Sequence, residues 1–523
     1  MPAPIASKSF RSKLKTDDAK ITLSKQRRCQ HTVRFLRVRL FSLSDCGLVD
    51  DPGLGWHLRI ADQMWETRSF QYSEAFCFPS IGKPWVTYAW LGDVGLRLSY
   101  LWGGLNALGI LTALNFALVV RLLFVRMIRE DVPWLTACLW TLLAALVMLP
   151  FCTARPNMFT FVGLVITASI CERFHSGAIS RRQTLWLVPM FGVWVNAHSG
   201  FLSGALIMFI TYVVELLLTL FGPAESRSSA KVRLLWWTQV GCVLFLVTLV
   251  NPYGGNLYVY LINTLTDSWI TRGTTTEWGP PDFLAPGWWI LELAILLFPL
   301  LCVLSRDKPS PVALALCLVF LHFGLTGIRY TGLWIIIAIP TMARLSCQIP
   351  LIESLKPWLT RNTSREFRAR FAAGSRTVTS LPSIAFAVGF LGVSAWLPVV
   401  TDHNPERMPT KALAYLLETS AGERVFHSPN WGGFLTWHGW DLQPRFQTWI
   451  DDRLEVHGRE HLADYYSIVN AEVDWQEKLQ KYGITVLCLP ADSRLVGHAR
   501  LTANWAEDYS DTYVVIFRRA GIP

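Results

Sequence analysis

The chain has 523 residues, of which 52% are hydrophobic and 16% charged, and its mean hydropathy is +0.32. This composition excludes an ordinary soluble protein, and the 24 tryptophans are typical of a membrane protein because Trp collects at membrane–water interfaces. The net charge of +10 does not indicate nucleic-acid binding: residues 1–40 hold eleven Lys/Arg against two Asp, whereas residues 401–523 hold twelve Lys/Arg against seventeen acids.

The N-terminal part reads as a tail followed by an outer loop. Residues 1–49 are predicted as a basic cytoplasmic tail with a marginal first span near 33–49, which three arginines weaken. A mitochondrial-type transit peptide is a second interpretation of this tail. Residues 50–103 are predicted as the first outer loop, within which residues 85–101 have the spacing of an amphipathic helix on the membrane surface.

Residues 104–400 are predicted as a multi-span membrane domain, since about 20 apolar residues cross the hydrocarbon core. Clear candidates are 104–124, 133–151, 201–221, 234–250, 287–304, 310–326 and 381–400, and shorter or more polar ones are 156–172, 184–196 and 330–345. With the marginal first span this gives about 10–11 spans.

The positions of Lys and Arg orient these spans. Basic residues concentrate in five connections, near 126–129, 173–182, 227–233, 306–308 and 344–376. Placing all five inside gives a strictly alternating topology. The remaining connections then lie outside, together with residues 401–523.

Residues 401–523 are predicted as a soluble α/β domain. Short β-rich runs at 424–427, 447–450, 484–489 and 513–517 alternate with helical patterns near 410–420, 459–470 and 473–482. This alternation predicts a small, largely parallel sheet. SPNWGGFLTWHGW (428–440) and WIDDR (449–453) follow strands, where ligands commonly bind, although tight turns and Trp packing also explain them.

Polar islands recur on the outer side of the predicted topology. They are DDPGLGWHLR (50–59), TARPN (153–157), NAHSGF (196–201), NPYGGN (251–256), TTTEWGPPDF (274–283) and GIRY (327–330). Taken by itself, the NPYGGN island is explained by helix caps and turns. As a set, with acids, His and Arg on one side, the islands favour an outward site, because non-helical backbone at membrane depth is tolerated against a water-filled cavity.

Four residues are candidates for proton transfer and substrate orientation. Asp51 or its neighbour Asp50 can act as a general base towards a hydroxyl, with an exposed turn acid as the alternative. His57 and His198 can orient a substrate or relay protons, although a structural role at a helix end is the more common one.

Four more residues are candidates for substrate binding. Arg155 and Arg329 lie against the outer membrane face, where a guanidinium can bind a lipid phosphate or extend to the interface. Glu277 and Asp282 can contact sugar hydroxyls, and they are only a weak signal for a divalent cation. No metal site or cofactor is predicted, and the sequence contains no nucleotide-binding, metalloprotease or serine-hydrolase motif.

The order of these features resembles the GT-C superfamily of integral-membrane glycosyltransferases. The chain also resembles a group of bacterial membrane proteins that share its D-P-x-L-x-W-H-L start and its later R-P, N-x-H-x-G-F, N-P-Y-G, T-E-W-x-P-P-D and W-G-G-[FY]-L islands. The resemblance covers about residues 50–523. In that group a second acid often stands at the position of Gly53, and Trp at that of Gly55.

This resemblance implies a GT-C-like fold and a bacterial inner-membrane location with a periplasmic C-terminal domain. It implies an inverting transfer of a sugar from a polyprenyl-phosphate carrier in the membrane to a glycan, lipid or protein acceptor, with Asp51 as base and the two arginines on the leaving phosphate. A transporter or flippase and a non-enzymatic envelope binding protein are the alternatives. The absence of an internal repeat and the outer position of the islands favour the enzyme over the transporter.

Overall fold

The computed structural model describes residues 47–267, 277–349 and 403–521. The basic tail, most of the marginal first span and the predicted span 381–400 lie outside these residues. From residue 54 to residue 346 the helices are α1 (Leu54–Thr67), α2 (Trp90–Arg129), α3 (Trp134–Met148), α4 (Met158–His175), α5 (Arg181–Thr184), α6 (Leu187–Ala197), α7 (Phe201–Phe221), α8 (Ala224–Thr248), α9 (Asn256–Thr266), α10 (Trp289–Leu304), α11 (Pro311–Thr326) and α12 (Thr331–Ser346).

Among the described residues, five helices are long and apolar enough to cross a membrane. They are α2, α3 with the 3₁₀ turn that follows it, α4, α7 and α8, and α10 and α11 are shorter apolar helices. Their bounds match the predicted spans to within a few residues, with two exceptions: α2 begins at Trp90, well before the predicted 104, and α8 begins ten residues before the predicted 234. The chain is therefore a polytopic α-helical membrane protein, as its composition predicts.

Helix α2 joins the predicted surface helix to the first clear span. Gly103 and Gly104 have non-helical backbone angles inside it, and Gly104 has φ +61°, which favours glycine. Before this kink, Leu98, Leu101 and Trp102 are 61%, 63% and 83% exposed. Such an apolar exposed face suits a helix that lies on a membrane surface.

The main core lies within the helical bundle, with α12 at its centre. Nearly all of the residues from Thr331 to Ser346 are buried, whereas α7 and α8 bury only one stripe each. A helix that is apolar all round belongs inside a bundle. The ends of the buried and half-buried helices therefore position the polar loops around α12.

The C-terminal domain contains α13 (Thr410–Thr419), β1 (Arg424–His427), α14 (Pro429–Gly439), β2 (Gln447–Thr448), α15 (Leu454–Val469), α16 (Trp475–Lys481), β3 (Val486–Pro490), α17 (Arg494–Arg500), β4 (Trp505–Ser510) and β5 (Val514–Arg519). These strands form one sheet in the order β2-β1-β3-β5-β4. Strands β2, β1 and β3 are parallel, and β5 is antiparallel to both β3 and β4. The small α/β sheet domain is thus confirmed, but the sheet is mixed rather than largely parallel, because β5 and β4 form an antiparallel hairpin. The prediction lacked β4, in which Glu507, Asp508 and Ser510 are exposed and polar.

Glycines bring α1 of the first outer loop into backbone contact with α14 of the C-terminal domain. A Cβ at Gly55 would lie 2.0 Å from the carbonyl oxygen of Gly433, and a Cβ at Gly433 would lie 2.4 Å from that of Pro52. A Cβ at Gly432 would lie 2.1 Å from the carbonyl oxygen of Ile450. The W-G-G island therefore presses the loop that carries Asp51 against the turn that follows β2.

Candidate active site at the first outer loop

Asp51 lies buried at the start of α1, with 5% of its surface exposed. Its Oδ1 accepts a hydrogen bond from the Gly53 N–H at 2.9 Å. This bond closes the turn that the D-P-G sequence favours. Its Oδ2 accepts from the Thr153 hydroxyl at 2.9 Å. Two islands that are far apart in the sequence therefore hold one carboxylate.

Arg155 links Asp51 to a second acid, Asp452. The Arg155 Nε lies 3.7 Å from Asp51 Oδ1, and its Nη2 donates to Asp452 Oδ2 at 2.8 Å. The indole Nε1–H of Trp56 donates to Asp452 Oδ1 at 2.7 Å. The shorter contact makes Asp452, rather than Asp51, the principal ion-pair partner of Arg155.

Asp452 stands in the space that a side chain at residue 53 would reach. A Cβ at Gly53 would lie 3.0 Å from Asp452 Oδ2 and 3.2 Å from Asp51 Oδ1. Burial raises the pKa of Asp452 to about 7, with Arg155 opposing the shift and Asp451 and Asp51 adding to it. The carboxyl group therefore changes its protonation state near neutral pH.

Arg329 provides a second guanidinium just before the start of α12. It stacks on the Trp278 ring at 4.1 Å, and its backbone N–H donates to the Glu277 carbonyl at 3.1 Å. Within the described residues its guanidinium has no ion-pair partner. Among these residues the charge of Arg329 is therefore not balanced by a carboxylate, in contrast to that of Arg155.

His198 and Tyr88 lie within the field of both arginines. The pKa of His198 is lowered to about 3 by burial and then by Arg329 and Arg155, so the imidazole is neutral at ordinary pH. Its Nδ1 accepts from the Gly200 N–H at 2.9 Å, which leaves the proton on Nε2. Burial and Glu455 raise the pKa of Tyr88, and the two arginines oppose this shift.

The remaining candidate residues have other surroundings. Asp50 accepts from His403 Nδ1 and from the Asn404 N–H, both at 3.1 Å, and so anchors the start of the C-terminal domain. His57 is buried, with its Nδ1 2.6 Å from Asp93 Oδ1, and burial lowers its pKa well below the usual value. Asp282 is exposed and caps its own turn by accepting from the Leu284 N–H at 3.0 Å.

The NPYGGN island forms hydrogen bonds to the first outer loop and does not contact Asp51. The Tyr253 hydroxyl accepts from the Thr87 N–H at 3.0 Å and donates to the Gln71 carbonyl at 2.8 Å. Asn251 Oδ1 accepts from the Tyr253 N–H at 2.8 Å and closes the turn. This island therefore fastens the first outer loop to the end of α8.

A buried ion-pair network fixes the same loop to the C-terminal domain. Arg453 pairs with Glu74 at 2.7 Å and with Asp451, and all three side chains are buried. The guanidinium also lies over the rings of Trp85, Phe76 and Trp56, at 4.5, 5.0 and 5.1 Å. Because Asp452 stands between Asp451 and Arg453 in the sequence, this network also sets its position.

Cys77, Asp451 and His457 lie close enough together to hold a metal ion. The Asp451 carboxylate is already paired with the Arg453 guanidinium, whose charge opposes a cation. Burial, together with Asp451 and Glu74, raises the pKa of the Cys77 thiol well above its usual value, so it stays protonated. This chemistry is that of an ion-pair network and does not suit a metal centre.

Sequence reasoning missed Asp452 as a site residue, although the WIDDR motif was visible after a strand. Two adjacent acids after a short strand also occur in ordinary turns, and nothing local separates the two residues. The structure separates them: Asp451 faces Arg453, whereas Asp452 faces Arg155 and Trp56.

The helical bundle and the sheet domain together have the architecture of GT-C membrane glycosyltransferases. The solved structures that resemble the chain include the archaeal oligosaccharyltransferase AglB from Archaeoglobus fulgidus in complex with an inhibitory peptide and a dolichol-phosphate. That likeness has a TM-score of 0.54 and 12% identity, over 91% of this chain and 71% of AglB.

The chain also resembles ArnT from Cupriavidus metallidurans. The apo form matches with a TM-score of 0.50 and 15% identity over 94% of this chain and 98% of ArnT. The form bound to undecaprenyl phosphate matches with a TM-score of 0.50 and 14% identity over 93% and 98%. No family model and no curated protein sequence matches the chain. At these identities the comparisons establish the GT-C fold.

Proposed function

We propose that this protein is a glycosyltransferase that moves a sugar from a polyprenyl-phosphate carrier to an acceptor hydroxyl at the outer face of a bacterial inner membrane. The observation that carries this proposal is Asp51, a buried carboxylate held by Gly53 and Thr153 beside the guanidinium of Arg155. A fixed carboxylate at the mouth of a helical bundle suits a general base.

The reaction is a single displacement. The acceptor oxygen forms a bond to the anomeric carbon, the bond from that carbon to the phosphate oxygen breaks, and Asp51 takes the hydroxyl proton. One base is enough, because the phosphate departs without needing a proton. This differs from glycoside hydrolysis with its two carboxyl groups.

The leaving phosphate needs positive charge. Arg329 is suited to this role because its guanidinium stacks on Trp278 and has no carboxylate partner among the described residues. Arg155 already pairs with Asp452, so its role is to hold the two carboxylates and to contribute charge. Neutral His198, with its proton on Nε2, can donate a hydrogen bond to the substrate.

The resemblance to known structures supports a lipid carrier. AglB was solved with a dolichol-phosphate and ArnT with undecaprenyl phosphate, and both ligands are polyprenyl phosphates. Neither structure identifies the donor sugar or the acceptor of this protein, so the proposal names only the class of donor.

The test is Asp51→Asn, expressed in a deletion strain and compared with wild type by mass spectrometry of envelope glycans and glycolipids. Exposed Asp492→Asn is the matched control. Loss of one glycan species at normal protein level, with the control unchanged, is the expected result. An unchanged profile in Asp51→Asn would contradict the proposal and favour a transport or binding role.

A further inference from the structure

A cleft lies where the first outer loop meets the C-terminal domain, apart from the Asp51 site. Its cavity volume is about 60 Å³, and the space between its walls, open solvent included, is about 390 Å³. Its walls combine aromatic rings with polar side chains, including Phe76, Phe78, Trp440, Arg445 and Gln447. Small-molecule sites typically join apolar walls with a few polar groups in this way.

Two guanidiniums lie over Trp440 in this cleft. Arg445 lies 3.8 Å from the ring centre and Arg59 lies 4.4 Å from it. Both distances are within the range of favourable cation–π contacts. Both guanidiniums therefore help to hold the Trp440 ring in place.

The two arginines differ in their partners. Arg59 pairs with Glu66 at 2.8 Å, whereas no carboxylate among the described residues forms an ion pair with Arg445. Arg445 is half-buried, and burial together with Arg59 lowers its pKa. An anion placed against Arg445 would offset both the lost hydration and the repulsion from Arg59.

Further groups in the cleft suit a hydroxylated ring. Gln447 Oε1 accepts from Arg424 Nε at 3.2 Å, and its amide N–H₂ has no partner among the described residues. The Arg424 guanidinium lies 4.8 Å from the Phe78 ring, which adds positive charge to the same wall. The weakly positive C–H faces of a sugar ring pack well on aromatic faces, which are negative.

We infer that this cleft binds an anionic sugar, with its carboxylate or phosphate on Arg445 and its ring on the aromatic wall at the half-buried Phe78, beside Gln447. An uncharged sugar would leave Arg445 without a counter-charge, and a simple inorganic anion would leave the aromatic wall unused. The inference does not rest on the proposed transfer reaction, because the cleft uses none of the residues around Asp51.

The test measures binding to the purified full-length protein by titration calorimetry. The probes are a disaccharide that contains glucuronic acid, glucose 1-phosphate, the corresponding neutral glucose disaccharide and inorganic phosphate. At least one anionic sugar should bind, and Arg445→Gln should weaken it roughly tenfold or more, as expected for loss of a charge-assisted contact. The identity of that sugar distinguishes a glycan carboxylate from a sugar phosphate.

Arg500→Gln is the matched control, because Arg500 is an exposed arginine of the same domain that pairs with Glu507. It should leave binding unchanged. Equal affinity in Arg445→Gln, equal binding of the neutral disaccharide or inorganic phosphate, or no binding of either anionic sugar at millimolar concentration would overturn the inference. Sugar binding in the cleft should be the same in Asp51→Asn as in wild type, whether or not that variant loses glycan transfer.

Discussion

At the scale of single residues, Asp452 is the most informative side chain of the site. It lies half-buried among Arg155, Trp56 and Asp51, and it comes from the C-terminal domain rather than from the loop that carries Asp51. The Asp452 carboxylate lies against Gly53, two residues after Asp51, so that a second acid stands beside Asp51. The second acid is thus supplied from elsewhere in the fold.

Its raised pKa predicts a pH dependence of stability. An unfolded aspartate titrates near 3.9, whereas folded Asp452 titrates at about 7. The folded protein therefore holds a proton in this window that the unfolded chain has lost, and stability falls as pH rises from about 4 to about 7, by at most about 1.4 kcal/mol per pH unit.

Asp452→Asn should flatten this slope. The measurement is the melting temperature of wild type, Asp452→Asn and the exposed control Asp492→Asn in detergent, at pH values of about 5 and about 8. A smaller loss between the two pH values in Asp452→Asn alone is expected. The same loss in all three proteins would show that Asp452 does not titrate in this range.

The two arginines of the site should respond differently to neutralisation. Arg155→Gln leaves Asp51 and Asp452 buried without their partner, which typically costs about 3–5 kcal/mol of stability. Arg329→Gln removes a cation–π contact worth about 0.5–1 kcal/mol, so the fold should persist.

Binding of a short polyprenyl phosphate separates their functions. Arg329→Gln should weaken this binding roughly tenfold or more, since a hydrogen bond to a charged group contributes about 1.5–3 kcal/mol. Melting temperature and lipid titration of both variants provide the check. A stable Arg155→Gln, or unchanged lipid affinity in Arg329→Gln, would contradict these roles.

At the scale of elements, the contact between α1 and α14 depends on glycine. Gly433→Ala places a methyl group 2.4 Å from the Pro52 carbonyl oxygen, where neither backbone can yield easily. Overpacking of this kind typically costs about 1–3 kcal/mol, and it would also move Asp51 relative to Asp452.

The matched control is Gly497→Ala in α17, where a Cβ meets open space. An alanine inside a helix stabilises by about 0.5–1 kcal/mol relative to glycine. We expect a lower melting temperature and reduced glycan product for Gly433→Ala, and neither change for Gly497→Ala. A loss of the same size in both variants would argue against the close approach.

The individual helices and strands are the part of the fold that the amino-acid sequence predicts best. Long apolar runs and the alternation of strands with helices are local signals, so spans such as α7 and strands such as β1 follow from them. The hairpin partner β4 lacks such a signal, because its exposed residues Glu507 and Asp508 disfavour a strand, and it is stabilised by pairing with β5. Helix α14 was missed because its paired glycines resemble a turn.

At the scale of the whole molecule, the site joins residues that no local pattern relates. Trp56 and Asp452 are 396 positions apart in the sequence, and the alternating topology predicts only that both face the same side. The sequence therefore predicts that the polar islands share one face of the membrane, but it does not predict which islands contact each other. Burial and charge in the folded chain decide which acid meets which arginine.

The Glu74–Arg453 pair should couple the first outer loop to the C-terminal domain. Arg453→Gln leaves the buried Glu74 carboxylate without its partner and should cost about 3–5 kcal/mol, whereas Glu74→Gln should cost less, because Arg453 keeps its pair with Asp451. The double variant should lose less than the sum of the two, with a coupling of about 0.5–3 kcal/mol.

Melting temperatures of wild type, both single variants and the double variant give this coupling. The exposed pair of Arg500 and Glu507, within the C-terminal domain, is the control and should show almost none. Additive losses for Glu74 and Arg453 would mean that the two side chains stabilise the protein independently.

The division of the site between two distant stretches of sequence also has a consequence for biosynthesis. Asp51 and Arg155 emerge from the ribosome well before the C-terminal domain, and Asp452 follows only when most of the chain has been made. A nascent or truncated chain therefore carries Asp51 and Arg155 without the second carboxylate or its contact with Trp56. Completion of the chain itself becomes the step at which the site is assembled.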